Sequence, residues 1–501
     1  MSERPAVQPG ALQHVKVLDL SRVLAGPWAA QTLGDLGAEV IKVERPGTGD
    51  DTRAWGPPYV TDPQGQPTGE SAYYMCTNRN KQSVTVDFTR PEGQQIVRQL
   101  AAQCDVLIEN FKTGGLAQYG LDYASLSAMN PRLVYCSVTG FGQDGPYAQR
   151  AGYDFLIQGM GGLMSVTGRS DGEPGGGPMK VGVALTDILT GLYASTAILA
   201  ALQAREHTGR GQHIDLALLD VGVACLANQG MNFLYGDKVP QRMGNAHPNT
   251  VPYQDFPTAD GHMILAIGND GQFARFCHAI GEPGWAQDAR FTHNAARLAN
   301  RAELVERIRA VTVMRTTRDW ISLLEQHAVP CGPINTVPYQ DFPTADGHMI
   351  LAIGNDGQFA RFCQAIGEPG WAQDERFMRN AARLANRTEL VERILAVTAT
   401  RTTRDWIALL EQHAVPCGPI NTVRDVFEDP QVKARGLQIA MQHPQAGEVP
   451  LVASPIRLSD TPVSYRHTPP QLGQHTDEVL TRHLGLTAEA LQTFRDNGVL
   501  G

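Results

Sequence analysis

The sequence predicts an α/β fold: an open parallel sheet with helices on both faces, accompanied by a smaller α/β domain that occurs twice. Three observations predict it. Apolar strand runs alternate with helix-patterned segments through residues 15–142, the pattern that builds parallel sheets by right-handed crossovers. The last stretch of the chain resumes strand and helix patterns, as though returning to the first domain. Finally, the 86 residues Val251–Thr336 recur as Val337–Thr422 with nine differences.

VKVLDLS (15–21) is a buried-strand run, and RVLAGPWAAQTLGDLG (22–37) reads as a helix with Gly26 and Pro27 in its first turn. AEVIKVE (38–44) is the next strand and completes a βαβ unit, which places ligands beyond the carboxyl ends of the strands. KQSVTVDF (81–88), the helix 91–103, DVLIENF (105–111) and RLVYCSVTGFG (132–142) continue the alternation. After a glycine-rich stretch, residues 183–211 read as a long, largely buried helix closed by a glycine turn, and QHIDLALLD (212–220) as a strand leading into another helix. Each repeat copy carries a strand (HMILAIG), a short amphipathic helix (QFARFCHAIGEP in copy one) and two further helices. After Arg424 a helix, a strand at LVASPIRLS (451–459) and a helix pair are expected. The resulting domains are 1–225, 226–336, 337–422 as the duplicated segment, and 423–501 returning to the first.

The repeat describes the chain's history more than its chemistry. Asn-Thr-Val occurs at 249–251, 335–337 and 421–423, once per period, as at the edges of a tandem duplication. Two near-identical copies between unrelated flanks do not make a solenoid, which needs three or more drifting units.

Composition excludes several classes. A net charge of −9 over 501 residues argues against a nucleic-acid or anionic-membrane surface. The N-terminal segment lacks a basic region followed by an apolar core, and no apolar run approaches the roughly 20 residues that cross a bilayer. The eight cysteines include no CxxC pair, which fits a reduced compartment. A cytoplasmic location is expected.

A dinucleotide enzyme would need GxGxxG after the first strand; the chain has Arg22-Val23-Leu24-Ala25-Gly26-Pro27, although Glu44 ends the second strand where an acid would hold a ribose. The strand-to-helix turn can still accept a phosphate on free N–H groups, and reads equally well as a plain tight turn. Arg45, Arg53 and Trp55 lie in a Gly/Pro-rich loop, and such cations beside an aromatic suit a phosphorylated, purine-bearing ligand as well as they suit solvent. Asp187 stands where the long apolar helix begins. It is either an N-cap or a nucleophile toward an activated acyl group, the upstream glycine-loop amides steadying the oxyanion. No HExxH, zinc-spaced cluster or GxSxG is present, so no metal site is expected. Cys331 and Cys417 read as packing residues.

RVLAGPWAAQTLGDLGAEVIKVERPGTGDDTR, NRNKQSVTVD, DVLIENFKTG, NPRLVYCSVTGFGQDGPY, VALTDILTGLYA and TGRGQHIDLALLD resemble class III CoA-transferases, the CaiB/BaiF family. The resemblance is continuous over nearly the whole chain once one repeat copy is set aside. It implies a Rossmann-like large domain formed from both chain ends, a smaller α/β domain between them, and an interlocked homodimer. It also implies that Asp187 is the catalytic aspartate, passing through an aspartyl anhydride and an aspartyl-CoA thioester. Acyl-CoA and a free carboxylic acid are then the substrates, with no tightly bound cofactor. Positions matching CoA contacts are Leu24, Ala25, Arg45, Val86–Thr89, Asn110, Phe111, Lys112 and the segment Ala151, Tyr153, Asp154. Gln118 stands where relatives can carry a basic residue, and GNAHPNTVPYQ (244–254) stands in place of a glycine-rich lid. The segments around Asp187 resemble members that move CoA from succinyl-CoA to another dicarboxylic acid such as glutarate. α-Methylacyl-CoA racemases share the fold, but they typically show Gly-His-Asp where this chain has Gly152-Tyr153-Asp154, and without that histidine a proton-transfer group is missing. A non-catalytic CoA-binding role, imposed by the duplicated segment, is the third reading.

Overall fold

The computed structural model describes residues 10–501 other than 173–175, 237–238, 335–338, 354–355, 380–381, 384–385, 416, 420–432, 435, 457 and 459–460. The described residues form two compact units, one within 1–168, 177–238 and 427–501, the other within 169–176 and 239–426.

The first unit opens with β1 (Lys16–Asp19), α1 (Ala25–Asp35) and β2 (Glu39–Glu44). A hairpin of β3 (Tyr59–Thr61) and β4 (Pro67–Ser71) leads through the short α2 (Ala72–Met75) to β5 (Lys81–Thr85), α3 (Pro91–Ala101) and β6 (Val106–Glu109). Then come α4 (Tyr123–Met129), β7 (Val134–Thr139), α5 (Asp154–Met160), α6 (Leu163–Val166), α7 (Leu185–Thr208), β8 (His213–Ala217) and α8 (Leu218–Ala224). Six strands make one parallel sheet in the order β5-β2-β1-β6-β7-β8. The order reverses between β1 and β6, so the crevice for a ligand opens above the carboxyl ends of those two strands.

Side-chain alternation divides the core. Leu18, Ile41, Val43 and Val84 face one layer, which α3 and the C-terminal helices Thr476–Leu484 and Ala488–Asp496 cover with Ile96, Leu100, Val479 and Leu491. Val15, Val17, Val40 and Val106 face the other, covered by Ala29 and Leu33 of α1 and Ala194 and Ile198 of α7. This is the period-two pattern of strands buried on both faces. Helices α1 and α7 pack closely because Gly191 has no side chain: a Cβ there would lie 2.8 Å from the Ala25 carbonyl oxygen.

Two expectations change. Helix α7 is not buried all round; Leu192, Tyr193 and Leu199 are exposed on the side away from α1. It is also long and apolar enough by composition to cross a membrane, because its leucines and isoleucines outweigh Asp187 and the threonines in the mean. In the C-terminal part the strand stops at Val452, pairing antiparallel with Gln438–His443. It ends short of Pro455, which has no N–H for a ladder. The helix expected just after Arg424 falls largely outside the described residues.

The second unit holds two three-stranded antiparallel sheets. Gly261–Ala266 lies between Tyr253–Thr258 and Cys331–Ile334, and His348–Ala352 between Tyr339–Pro343 and Cys417–Pro419. Each sheet has its own apolar core. Phe256, Met263, Phe276, Leu304 and Trp320 form one, and the corresponding Phe342, Met349, Phe362, Leu390 and Trp406 form the other. Each tryptophan donates its indole N–H to a threonine carbonyl, Trp320 to Thr312 at 2.7 Å and Trp406 to Thr398 at 2.8 Å. All nine positions that differ between the copies are exposed in copy one, His278 and Arg309 among them. The substitutions therefore leave its packing untouched.

Because the two cores share no side chain, removal of residues 337–422 is expected to leave a folded 415-residue chain. Circular dichroism and thermal melting of that deletion variant should show a cooperative transition within about 5 °C of the full chain.

Candidate active site

A helix begins with N–H groups that nothing in the helix can satisfy. At the start of α7 the residue before the first turn is Ala184, which offers no side-chain cap, and Asp187 is the third helical residue. The cap comes from another helix. Asp154, the first residue of α5, accepts from the Thr186 amide at 2.8 Å and the Asp187 amide at 3.4 Å through Oδ1. The capping reading of Asp187 is thus replaced: Asp154 does the capping, and the Asp187 carboxyl is left half-buried beside it. Burial, and then the neighbouring Asp154 charge, push the Asp187 carboxyl up to about 7.

Tyr73 lies in the same surroundings, its phenol pushed up to about 12 by burial, Cys76, Asp187 and Asp154. Trp55 meets Tyr73 edge-on with ring centroids 5.2 Å apart. Asp154 reaches α7 because Gly140, just past β7, and Gly152 touch backbone to backbone; a Cβ on Gly140 would sit 2.5 Å from the Gly152 Cα.

The other sequence-predicted positions follow the carboxyl edge of the sheet. Leu24 and Ala25 are buried at the start of α1. Just before them Val23 has φ +72°, a conformation that costs a β-branched residue about 1–3 kcal/mol. Neighbouring loops hold that turn. Asn110 accepts from the Arg22 amide at 2.9 Å and donates to the Arg22 carbonyl at 2.7 Å, and Asp50 accepts from the Val23 amide at 3.2 Å. The Asn110 side chain therefore serves the turn rather than standing free. The Arg22 guanidinium lies 5.1 Å from the Phe111 ring centroid. Arg45, Thr89, Lys112, Ala151 and Tyr153 are exposed. Val86 has its side chain in the core. Gln118 is exposed, donating to the Gly115 carbonyl at 3.0 Å.

Two residues weighed as ligand contacts, Arg53 and Glu44, are structural. Arg53 is buried, with Nε and Nη2 both 2.8 Å from Glu44 and Nη1 2.9 Å from Glu70. It also donates to the Tyr74 hydroxyl at 2.6 Å and the Pro470 carbonyl at 2.9 Å, which leaves nothing for a phosphate. Glu44 is held by Arg53 and by the Ser83 hydroxyl at 2.6 Å, so it is not free for a ribose. Burial pushes the Glu44 carboxyl up, and Arg53 and Lys42 more than reverse this.

Sequence reasoning missed the buried lysines beneath this edge. Lys81 lies 2.9 Å from Asp19, and Lys42 lies 3.0 Å from Asp50. Burial pushes the Asp19 carboxyl up, and the two lysines outweigh it and bring it down. The signal was available: Lys42 stands between Ile41 and Val43 within a strand, and a lysine buried there needs a buried acid. Among the described residues no three His, Cys, Asp or Glu side chains are placed to hold a metal ion.

Comparison with known proteins gives consistent results. A family model described as CoA-transferase family III matches residues 12–337 and again 335–476. A succinate–glutarate CoA-transferase of Agrobacterium fabrum is 44% identical over 480 residues, covering 96% of this chain and 97% of its own. The human succinyl-CoA:glutarate CoA-transferase is 37% identical, covering 98% of this chain and 90% of its own. The crystal structure of a CaiB/BaiF family protein from Brucella suis matches with TM-score 0.59 at 43% identity, over 95% of this chain and 100% of that one.

Arg53→Met is expected to destabilise the fold by about 3–5 kcal/mol in urea unfolding, since it removes the buried guanidinium that both Glu44 and Glu70 pair with. Asp187→Asn should act in the opposite sense. The unfolded carboxyl ionises near pH 4 and the folded one near 7, so the wild type loses stability as pH rises between those values. The asparagine variant should melt with the wild type near pH 4 and above it at pH 8.

Proposed function

The chain belongs to CoA-transferase family III, and from that membership we propose that it moves CoA from succinyl-CoA to a second dicarboxylic acid, glutarate being the first to test. The relatives named above carry that donor and acceptor in their names. The observation that carries the mechanism is Asp187, a carboxyl relieved of capping duty and raised toward neutrality at a helix mouth. A carboxylate of raised basicity is a better nucleophile, and one near 7 is half ionised at working pH.

The Asp187 carboxylate attacks the thioester carbonyl carbon; the C–S bond breaks and CoA leaves as thiolate with the electron pair, giving a mixed anhydride. The thiolate then attacks the aspartyl carbonyl, releasing the donor as free carboxylate and leaving an aspartyl-CoA thioester. The acceptor carboxylate repeats the first step on this thioester and expels the thiolate, which attacks the acceptor carbonyl and restores Asp187. No proton or electron is consumed, so the residues required are those that hold CoA, orient the two acids and exclude water.

CoA in this reading lies along the carboxyl edge, with its adenosine phosphate near the exposed Arg45, further contacts at Thr89 and Phe111–Lys112, and its thioester reaching Tyr153 and Asp154. The strained turn at Leu24–Ala25 fits backbone contact with the ligand. A homodimer has support in the apolar side chains left open on packed helices: Phe155 and Leu156 of α5, Leu192, Tyr193 and Leu199 of α7, and Val223 of α8. Uncovered apolar area on adjoining helices marks an interaction surface. The reading also takes the C-terminal residues from 423 as part of the large domain and the cytoplasm as the working compartment.

The test is incubation with succinyl-CoA and a panel of acids, thioesters being followed by mass spectrometry. A new thioester should form only when an acceptor acid is present. Asp187→Asn should lower turnover by at least about 10³-fold while leaving CoA binding intact. In the wild type kcat/KM should rise with pH through a midpoint near 7, as the free carboxyl ionises. Proton exchange at the α-carbon of an acyl-CoA without transfer would contradict the reading.

A further inference from the structure

We propose that Gln158 is a positioning residue for the nucleophile: its amide ties the backbone that enters α7 to α5 and holds the Asp154 carboxylate against the helix mouth. The proposal rests on the assignment of Asp187 as nucleophile. Gln158 is 1% exposed and lies one turn after Asp154 on α5. Its Nε2 donates to Asp154 Oδ2 at 2.7 Å, and its Oε1 accepts from the Val181 amide at 2.9 Å. Asp154 Oδ1 in turn accepts from Thr186 and Asp187. One buried amide and one carboxylate thereby fix two points of the segment 181–187 on a single helix.

The residue type is demanding. A side-chain amide donates at one atom and accepts at another at neutral pH without adding a charge next to two carboxyls. Methionine would fill the space and do neither. Glutamate would do both, but only while protonated. The ionisable groups facing this junction are Asp187 on α7, Tyr73 on α2, and Lys180, whose ammonium donates to the Val181 carbonyl at 3.3 Å. Asp50 also contributes to the field at Tyr73.

The variants Gln158→Met and Gln158→Glu test the assignment. In Gln158→Met, kcat should fall about 10–100-fold, the cost of displacing a reacting group by about 1 Å, with KM for acyl-CoA changed by less than about threefold. Gln158→Glu should match the wild type at pH 6 and drop below about one tenth of it at pH 8, as the new carboxyl loses its proton. A residue that merely filled space would give both variants the wild-type pH profile, and that result overturns the proposal. Hydrogen exchange supplies a readout independent of activity: the Val181 and Thr186 amides should exchange at least about tenfold faster in Gln158→Met. Unchanged exchange at both amides overturns the proposal whatever the activity. Faster exchange in a chain that moves no CoA even as wild type would support the tie and refute the transferase reading instead.

Discussion

The site depends on one hydrogen-bonding arrangement, the Asp154 carboxylate accepting from the first amides of α7. A helix this long presents a partial positive charge at its start, and some acid will settle there. If Asp187 itself were the cap, its oxygens would be spent and its basicity lowered. Because Asp154 takes that place, Asp187 keeps its lone pairs and feels a second negative charge in a half-buried setting. Capping, which would engage the Asp187 carboxylate, falls to Asp154 instead.

The same logic of dividing labour runs along the carboxyl edge of the sheet. Buried ions are stable only when fully paired, and here Lys42, Lys81, Asp19 and Asp50 pair beneath the β1–α1 turn, while Arg53, Glu44 and Glu70 pair beneath the following loop. These groups do not face a ligand. They hold the backbone of the turn, including the strained Val23. Arg45 and Lys112 are exposed.

Much of the sheet was legible in the sequence. Its six strands and helices α1, α3, α7 and α8 lie in runs whose period and punctuation are plain, such as VKVLDLS followed by a Gly-Pro helix start, whereas α4, α5 and α6 were not read from the sequence. Asp187 stood out at a loop-to-helix junction. Asp154 was named through the resemblance as a CoA contact, but its pairing with Asp187 was not, because the two lie 33 residues apart and nothing local marks the pairing. Arg53 was misread for a related reason: a loop arginine next to Gly and Pro suggests solvent or phosphate, and only the fold brings Glu44 and Glu70 to it. The strand Gln438–His443 is exposed at residues 438, 440 and 442, with Ala440 among them, and its pairing, not its composition, makes it a strand. Helix α7 looked buried because its small and apolar residues are spread round the helix, whereas the chain covers one side only.

The differences between the repeated segments fall on positions exposed in copy one, and each copy closes its own core; Asp187 and Asp154 lie within the other compact unit. What that unit does is therefore the decisive question. It is answered most directly by turnover with an acceptor acid labelled with oxygen-18 in its carboxylate, followed by mass spectrometry of the peptide that contains Asp187 and of the released donor acid. Covalent passage through the side chain predicts one acceptor oxygen in Asp187 and, after further turnovers, label in the donor acid. CoA transfer at full rate with neither labelled would contradict it.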